Sequence, residues 1–205
     1  MKTIIHPTYF PNIEFFYHLF KSKKLLFEVN DLYQKQTFRN RTLIYSSNGK
    51  LNLTIPVKFS STKKERLRDI KICNDIKWQK NHLKSIQIAY RSSPYFEFFE
   101  DHFFLIFEKK EKFLIDISLK SIEIIFKILE KDLEYNITSG YQEDYKLDSD
   151  CRDLSKRNKK KIKNFIKPYH QVFAHEHGFI SNLSMIDLVF NEGPNSLTYF
   201  KDSNM

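Results

Sequence analysis

The first thirty residues read as strand, helix, strand. "TIIHP", Thr3 to Pro7, is short, β-branched and closed by a proline, as a buried strand would be. Pro11 and Asn12 can open a helix, and Ile13, Phe16, Tyr17 and Phe20 recur on one of its faces. "KLLFEV", Lys24 to Val29, supplies the second strand. A helix between two strands is the crossover that parallel pairing requires, and it is almost always right-handed. Ligands of such sheets sit beyond the strands' carboxyl ends. His6, Pro7, Thr8 and Tyr9 therefore fall in an expected binding loop.

The next segment predicts a hairpin. "RTLIYSSNGKLNLTIPVKF" has β-prone flanks, and Asn48-Gly49 can supply two positive-φ turn residues. Pro56 removes a ladder donor and marks an edge. "RLRDIKI" alternates apolar and charged residues, as a half-exposed strand does. Three helices follow. In the first, Trp78, His82, Ile86 and Tyr90 form a stripe with a spacing of four. The second starts at Ser93-Pro94, with Ser93 as its cap. The third, "LIDISLKSIEIIFKILEKDL", is expected to be the most buried. Gly140 and the polar "YQEDYKLDSD" read as a loop. "LSMIDLVFNEGP" reads as a two-turn helix, Met185 to about Glu192. Ser184 would be its N-cap, Asp187 its capping-box acid, and Gly193 its left-handed stop before Pro194. The expected fold class is α/β. It would be one domain over 1–205, strand-rich in 1–73 and helix-rich in 74–205. A mixed sheet with a βαβ unit and a hairpin would pack against several helices.

With 20 Phe and 11 Tyr, the core should be aromatic. Cys73 and Cys151 are far apart and suit free thiols in a reducing compartment. No apolar run approaches a membrane span and no signal peptide is visible, so a cytoplasmic protein is expected. Net charge is +9, much of it in "KRNKKKIKNFIK" at 156–167. That run reads either as a phosphate-binding patch or as a solvated face. No nucleic-acid motif accompanies it, so a nucleic-acid partner is not expected.

The candidate chemistry is sparse. His82 on the Trp78 stripe could move a proton or simply pack. Arg39, Asn40 and Arg41 precede a strand, where guanidiniums and an amide suit a carboxylate, phosphate or sugar. His175 and His177 in "HEHGF" would share a face on a strand, but no further ligands accompany them, so no metal is expected. Four glycines and the absence of P-loop, GxGxxG, GxSxG and CxxC patterns argue against those chemistries. No cofactor is expected.

Five blocks in order carry a resemblance: "HPTYFP", "YQKQTFRNRTLI", "NGKLNLTIPVK", "WQKNHLKSIQIAYRSSPYFEFFED" and "YHQVFAHEHGFISNLSMIDLVFNEGP". Together they resemble the WbqC-like family along almost the whole chain. Where that family has Gln-Pro, this chain has His6-Pro7. The resemblance implies a transferase that adds an aminoacyl group such as glycine to a sugar during O-antigen or other surface-polysaccharide synthesis. On that reading His82 and His6 would be catalytic. Tyr9, Lys35, Asn40, Arg41, Trp78, Tyr90, Asn191 and Glu192 would bind substrate, a polar or anionic small molecule such as a sugar nucleotide, amino acid or aminoacyl donor. A non-catalytic scaffold in the same pathway is a second reading. RNA or anionic-surface association through 156–167 is a third. Sequence leaves the oligomeric state open.

Overall fold

A computed structural model describes residues 1–59, 64–146, 149–156 and 166–200. The first thirty residues form the expected βαβ unit. Strand β1 (Lys2–Ile5) and strand β2 (Lys24–Phe27) pair in parallel, with Lys2 opposite Lys24 and Ile5 opposite Phe27. Helix α1 (Ile13–Phe20) crosses between them. Its N-cap Asn12 accepts a hydrogen bond from Phe15 N at 3.0 Å.

Two short strands from the second half of the chain complete this sheet. β7 (Tyr135–Ile137) joins β2, and β8 (Ser149–Asp150) joins β1, both in parallel. The order is β7-β2-β1-β8. Strands are therefore not confined to the first third, and "YQEDYKLDSD" is not all loop. A two-residue strand has no readable alternation; its partner β1 makes it a strand.

β3 (Arg41–Ser46) and β4 (Gly49–Thr54) form a ribbon of their own beside the parallel sheet. Ser46 pairs with Gly49, so the turn is centred on Ser47 and Asn48. Gly49 alone of these takes a positive φ, +85°, which shifts the expected turn by one residue. "RLRDIKI" becomes a 3-10 turn, Leu67–Asp69, and a two-residue strand β6 (Lys71–Ile72) paired with β5 (Val57–Lys58).

The helices are α2 (Trp78–Tyr90), α3 (Phe96–Glu108), α4 (Leu114–Ile128), a single turn α5 (Ala174–His177), and α6 (Met185–Glu192). The most buried is α6 rather than α4, since every residue from Met185 to Asn191 is buried. Phe190 at its centre meets Phe103 at 4.7 Å and Tyr90 and Phe96 at 5.1 Å between ring centroids. A second aromatic cluster joins Phe16, Phe20 and Phe126 beneath α1.

The ends of α6 are only partly as expected. Ser184 is the N-cap residue, but its hydroxyl donates to the Phe10 carbonyl at 2.9 Å and caps nothing. Asp187 does not reach back to the helix start. Gly193 does stop the α-helix, at φ +55°, and Pro194 then leads into a 3-10 segment, Gly193–Tyr199. A Cβ on Gly193 would lie 2.5 Å from the Tyr95 ring. Gly193→Ala therefore combines backbone strain with overlap and should cost about 2–4 kcal/mol. A urea melt compared with the parent protein checks this; a loss below the scatter of ordinary surface variants would rule it out.

Candidate functional site

The carboxyl ends of β1, β2 and β8 open onto a cavity of about 400 Å³. The sequence places charged side chains in the first positions after each strand. His6 follows β1, Asp31 follows β2, and Arg152 follows β8. Arg39 enters from a 3-10 turn, Phe38–Asn40. Asp150, Asp153 and Lys156 complete the charged rim.

The loop that carries His6 is held firmly. Phe10 has φ +38°, which is costly for a residue other than glycine. Three hydroxyls fix it: Ser121 accepts from Phe10 N at 3.0 Å, while Thr42 and Ser184 donate to its carbonyl at 2.7 and 2.9 Å. Asp31 is positioned through Glu28, which is fully buried. Glu28 Oε1 accepts from the backbone N–H groups of Asn30 at 2.6 Å and Asp31 at 3.2 Å, and from the Thr138 hydroxyl at 3.0 Å. Its other oxygen accepts from Tyr145 at 2.5 Å.

His6, Asp31 and Arg39 form one cluster. His6 Nε2 lies 2.9 Å from Asp31 Oδ2. One Arg39 nitrogen is 3.2 Å from that oxygen and 3.2 Å from His6 Nε2. His6 Nδ1 lies 3.1 Å from the Arg152 carbonyl and 3.3 Å from the Ser155 hydroxyl, which itself donates to that carbonyl. Burial lowers the His6 pKa below 6.5, with the Arg39 charge acting the same way, against the Asp31 and Arg152 hydrogen bonds. Burial raises the Asp31 carboxyl, but its contacts with His6 and Arg39 outweigh that and leave it below the usual range. Arg39 is fully buried, and its Nε has no hydrogen-bond partner among the described residues.

This geometry serves two protonation states. With Nδ1–H donating to the Arg152 carbonyl, Nε2 is either a lone pair receiving Arg39 or an N–H donating to Asp31. Either way the buried atoms between Nε2 and Oδ2 are satisfied. The cluster can therefore take up one proton without rearranging. Asp31 keeps 20% of its side chain exposed and is the open end of the pair. Arg152 is a framework cation: it grips Asp150 through Nε and a terminal nitrogen and donates to the Gln142 and Glu143 carbonyls.

Of the ten residues given catalytic or binding roles from sequence, His6 lines this cavity; Arg39, read with Asn40 and Arg41 as suited to an anionic ligand, lines it too. His82 lies in the core, where the Tyr9 hydroxyl donates to its Nδ1 at 3.0 Å and the Trp78 ring packs at 5.1 Å. Burial pushes the His82 pKa down to about 4, so the ring is neutral at physiological pH. Tyr90 and Asn191 meet elsewhere, around Asp187: the Tyr90 hydroxyl donates to its carboxylate at 2.9 Å, and Asn191 Nδ2 to its backbone carbonyl at 2.7 Å. Asn40 Nδ2 donates to the Ile55 carbonyl at 2.9 Å. Glu192 accepts from His170 N and the Tyr199 hydroxyl. Lys35 is exposed, its ammonium over the Phe59 ring at 4.3 Å, and Arg41 is half-buried, its Nε without a partner among the described residues. His175 and His177 sit on the single turn α5, not on a strand, so they do not share a face as expected. Most of 156–167 lies outside the described residues.

Sequence reasoning did not single out Asp31, Asp150 or Arg152. The carboxyl-end rule, applied to β2 as it was to β1, points to Asp31. Asp150 and Arg152 follow a strand too short to read.

The WbqC-like protein family model matches residues 6–162 of the 205. The chain belongs to the WbqC-like protein family. No curated protein and no solved structure matches it. The family match begins at His6 and contains every residue that lines the cavity of this WbqC-like chain. It stops before Asp187 and α6, so the last of the five resembling blocks, at 169–194, lies beyond it. Among the described residues, no helix of this WbqC-like chain is long and apolar enough to cross a membrane.

Proposed function

We propose that this chain binds a polar small molecule at the carboxyl edge of its parallel sheet and transfers an aminoacyl group from it to a surface-glycan precursor. The observation that carries the reading is the His6–Asp31–Arg39 cluster at the ends of β1 and β2, where α/β sheets hold their ligands. The cavity's rim mixes Asp31, Asp150 and Asp153 with Arg152 and Lys156, which suits a ligand carrying both charges. An amino acid or aminoacyl donor has that character.

In the transfer, the acceptor's amine or hydroxyl attacks the donor's acyl carbon. A C–N or C–O bond forms, and the bond from that carbon to the leaving group breaks. The acceptor's proton passes to the His6–Asp31 pair and returns to the departing group. His6 is suited to receive it because burial and Arg39 keep the ring unprotonated near neutral pH. His82, neutral and enclosed, supports the core in this reading.

A thermal-shift screen with glycine, other amino acids, aminoacyl esters and sugar nucleotides tests the binding. A stabilising ligand should lose at least about tenfold in affinity on Asp31→Asn, since a charge-assisted hydrogen bond contributes about 1.5–3 kcal/mol. Turnover should fall on the acid side along a limb below pH 6.5, because the ring must be deprotonated and its pKa is lowered from that value. A ligand unaffected by Asp31→Asn, or an acid limb above pH 6.5, would overturn the assignment. His82→Gln should leave that limb in place.

A further inference from the structure

A second cavity, about 180 Å³, lies across a wall shared with the first. Neighbouring residues face the two sides. Phe38 lines the second cavity and Arg39 the first; Leu154 lines the second and Asp153 the first. Lys156 lines both. The two spaces are thus adjacent compartments divided by 38–39 and 153–154.

The lining of the second compartment has a definite chemistry. The half-buried Phe38 ring, with Leu43 and Leu183, supplies an apolar surface. Beside it lie the Ser181 hydroxyl and the Glu14 carboxylate, which already accepts from Asn182 Nδ2 at 3.2 Å. The adjacent N-terminus of α1 is not an anion site, because its first N–H groups are already used. Ile13 N donates to the Leu183 carbonyl at 3.0 Å, Glu14 N to Asn182 Oδ1 at 2.9 Å, and Phe15 N to Asn12 Oδ1 at 3.0 Å. The volume falls below the roughly 300–1,000 Å³ of sites for drug-sized ligands, which favours one ring over a nucleotide. A pyranose fits these terms: C–H groups cover part of its surface, and hydroxyls surround its edge.

We propose that the second cavity is a subsite for a single pyranose ring, the acceptor of the transfer, with Lys156 standing between it and the donor. This rests on the reading that the first cavity holds the donor. Saturation-transfer NMR with methyl glucoside, methyl galactoside and N-acetylglucosamine tests it on the full chain. At least one should receive saturation on its ring protons. That signal should drop about fivefold in Phe38→Ala, as expected for losing an aromatic contact. It should drop at least as far in Ser181→Trp, which fills the cavity from its rim and keeps Phe38 in place. It should persist in Asp31→Asn. Saturation of none of the three sugars, or a signal that survives in both cavity variants, would overturn the subsite. Glycine thermal shifts, run in parallel, separate the two ideas. Glycine binding without sugar binding removes the subsite and keeps the donor site; sugar binding without glycine binding keeps a sugar cavity and removes its role as acceptor subsite.

Discussion

An Arg39→Met variant should lose about 2–4 kcal/mol of unfolding free energy and hold a proton on His6 at higher pH than the parent protein. The stability loss follows from burial. Removing one member of a fully buried ion pair costs about 3–5 kcal/mol. Asp31 is part-exposed, so water solvates some of the charge left behind, which brings the expected loss below that range. The proton effect follows from sign. The Arg39 charge lowers the His6 pKa, while the Asp31 and Arg152 hydrogen bonds raise it. Without Arg39 the raising contacts act unopposed except by burial. Titration of the His6 ring protons by NMR reads this directly. The same shift reaches stability. In the parent, the folded His6 pKa is below 6.5, so its contribution is present above pH 6.5 and is lost as pH falls. The variant loses less on the acid side, and its stability deficit should narrow from pH 7.5 to pH 5. An unchanged His6 titration would show that the ring does not feel Arg39.

The second large effect concerns Asp187. Its carboxylate is fully buried on α6. It receives the Tyr90 hydroxyl at 2.9 Å, the Tyr169 hydroxyl at 2.5 Å and Gln171 Nε2 at 2.8 Å. Tyr90 also accepts from Tyr45 N, so one carboxylate ties α2, α6, β3 and the 169–171 segment together. Burial raises its pKa to about 6 despite those donors, from an ordinary value of 3.8. The folded state therefore holds a proton between those values that the unfolded chain has released. The associated stability is fully present below pH 3.8 and is gone once pH has risen through 6. The loss amounts to about 3 kcal/mol, at 1.36 kcal/mol per unit. Asp187→Asn removes the titration, so urea melts of the variant should lack this downward step between pH 4 and pH 7. A step of equal size in both proteins would assign it to another group.

Local signals were legible where one segment carries its own structure. The βαβ unit shows in "TIIHP", the α1 face and "KLLFEV". Helix α2 shows in its stripe, and α6 in its apolar run stopped by Gly193. The site was half legible for the same reason. His6 follows a readable strand, and the carboxyl-end rule places it. Asp31 follows an equally readable strand but stands four residues beyond its end, where no local pattern marks it. β7 and β8 have two or three residues and exist because β2 and β1 offer them edges.

The polar residues show the limit most clearly. His82, Asn40 and Asp187 look alike in sequence to a group that acts on substrate. Burial made His82 a neutral packed ring, turned Asn40 into a backbone tie, and drew Asp187 from a helix cap into a tyrosine-lined knot. The sequence by itself determined the family, the α/β class and the loop that bears His6, because these rest on patterns within short stretches. Only the tertiary structure decided which charges share one space. Asp31 is 25 residues from His6 and Ser155 is 149. No local pattern spans such separations; the parallel pairing of β1 with β2 and β8 closes them.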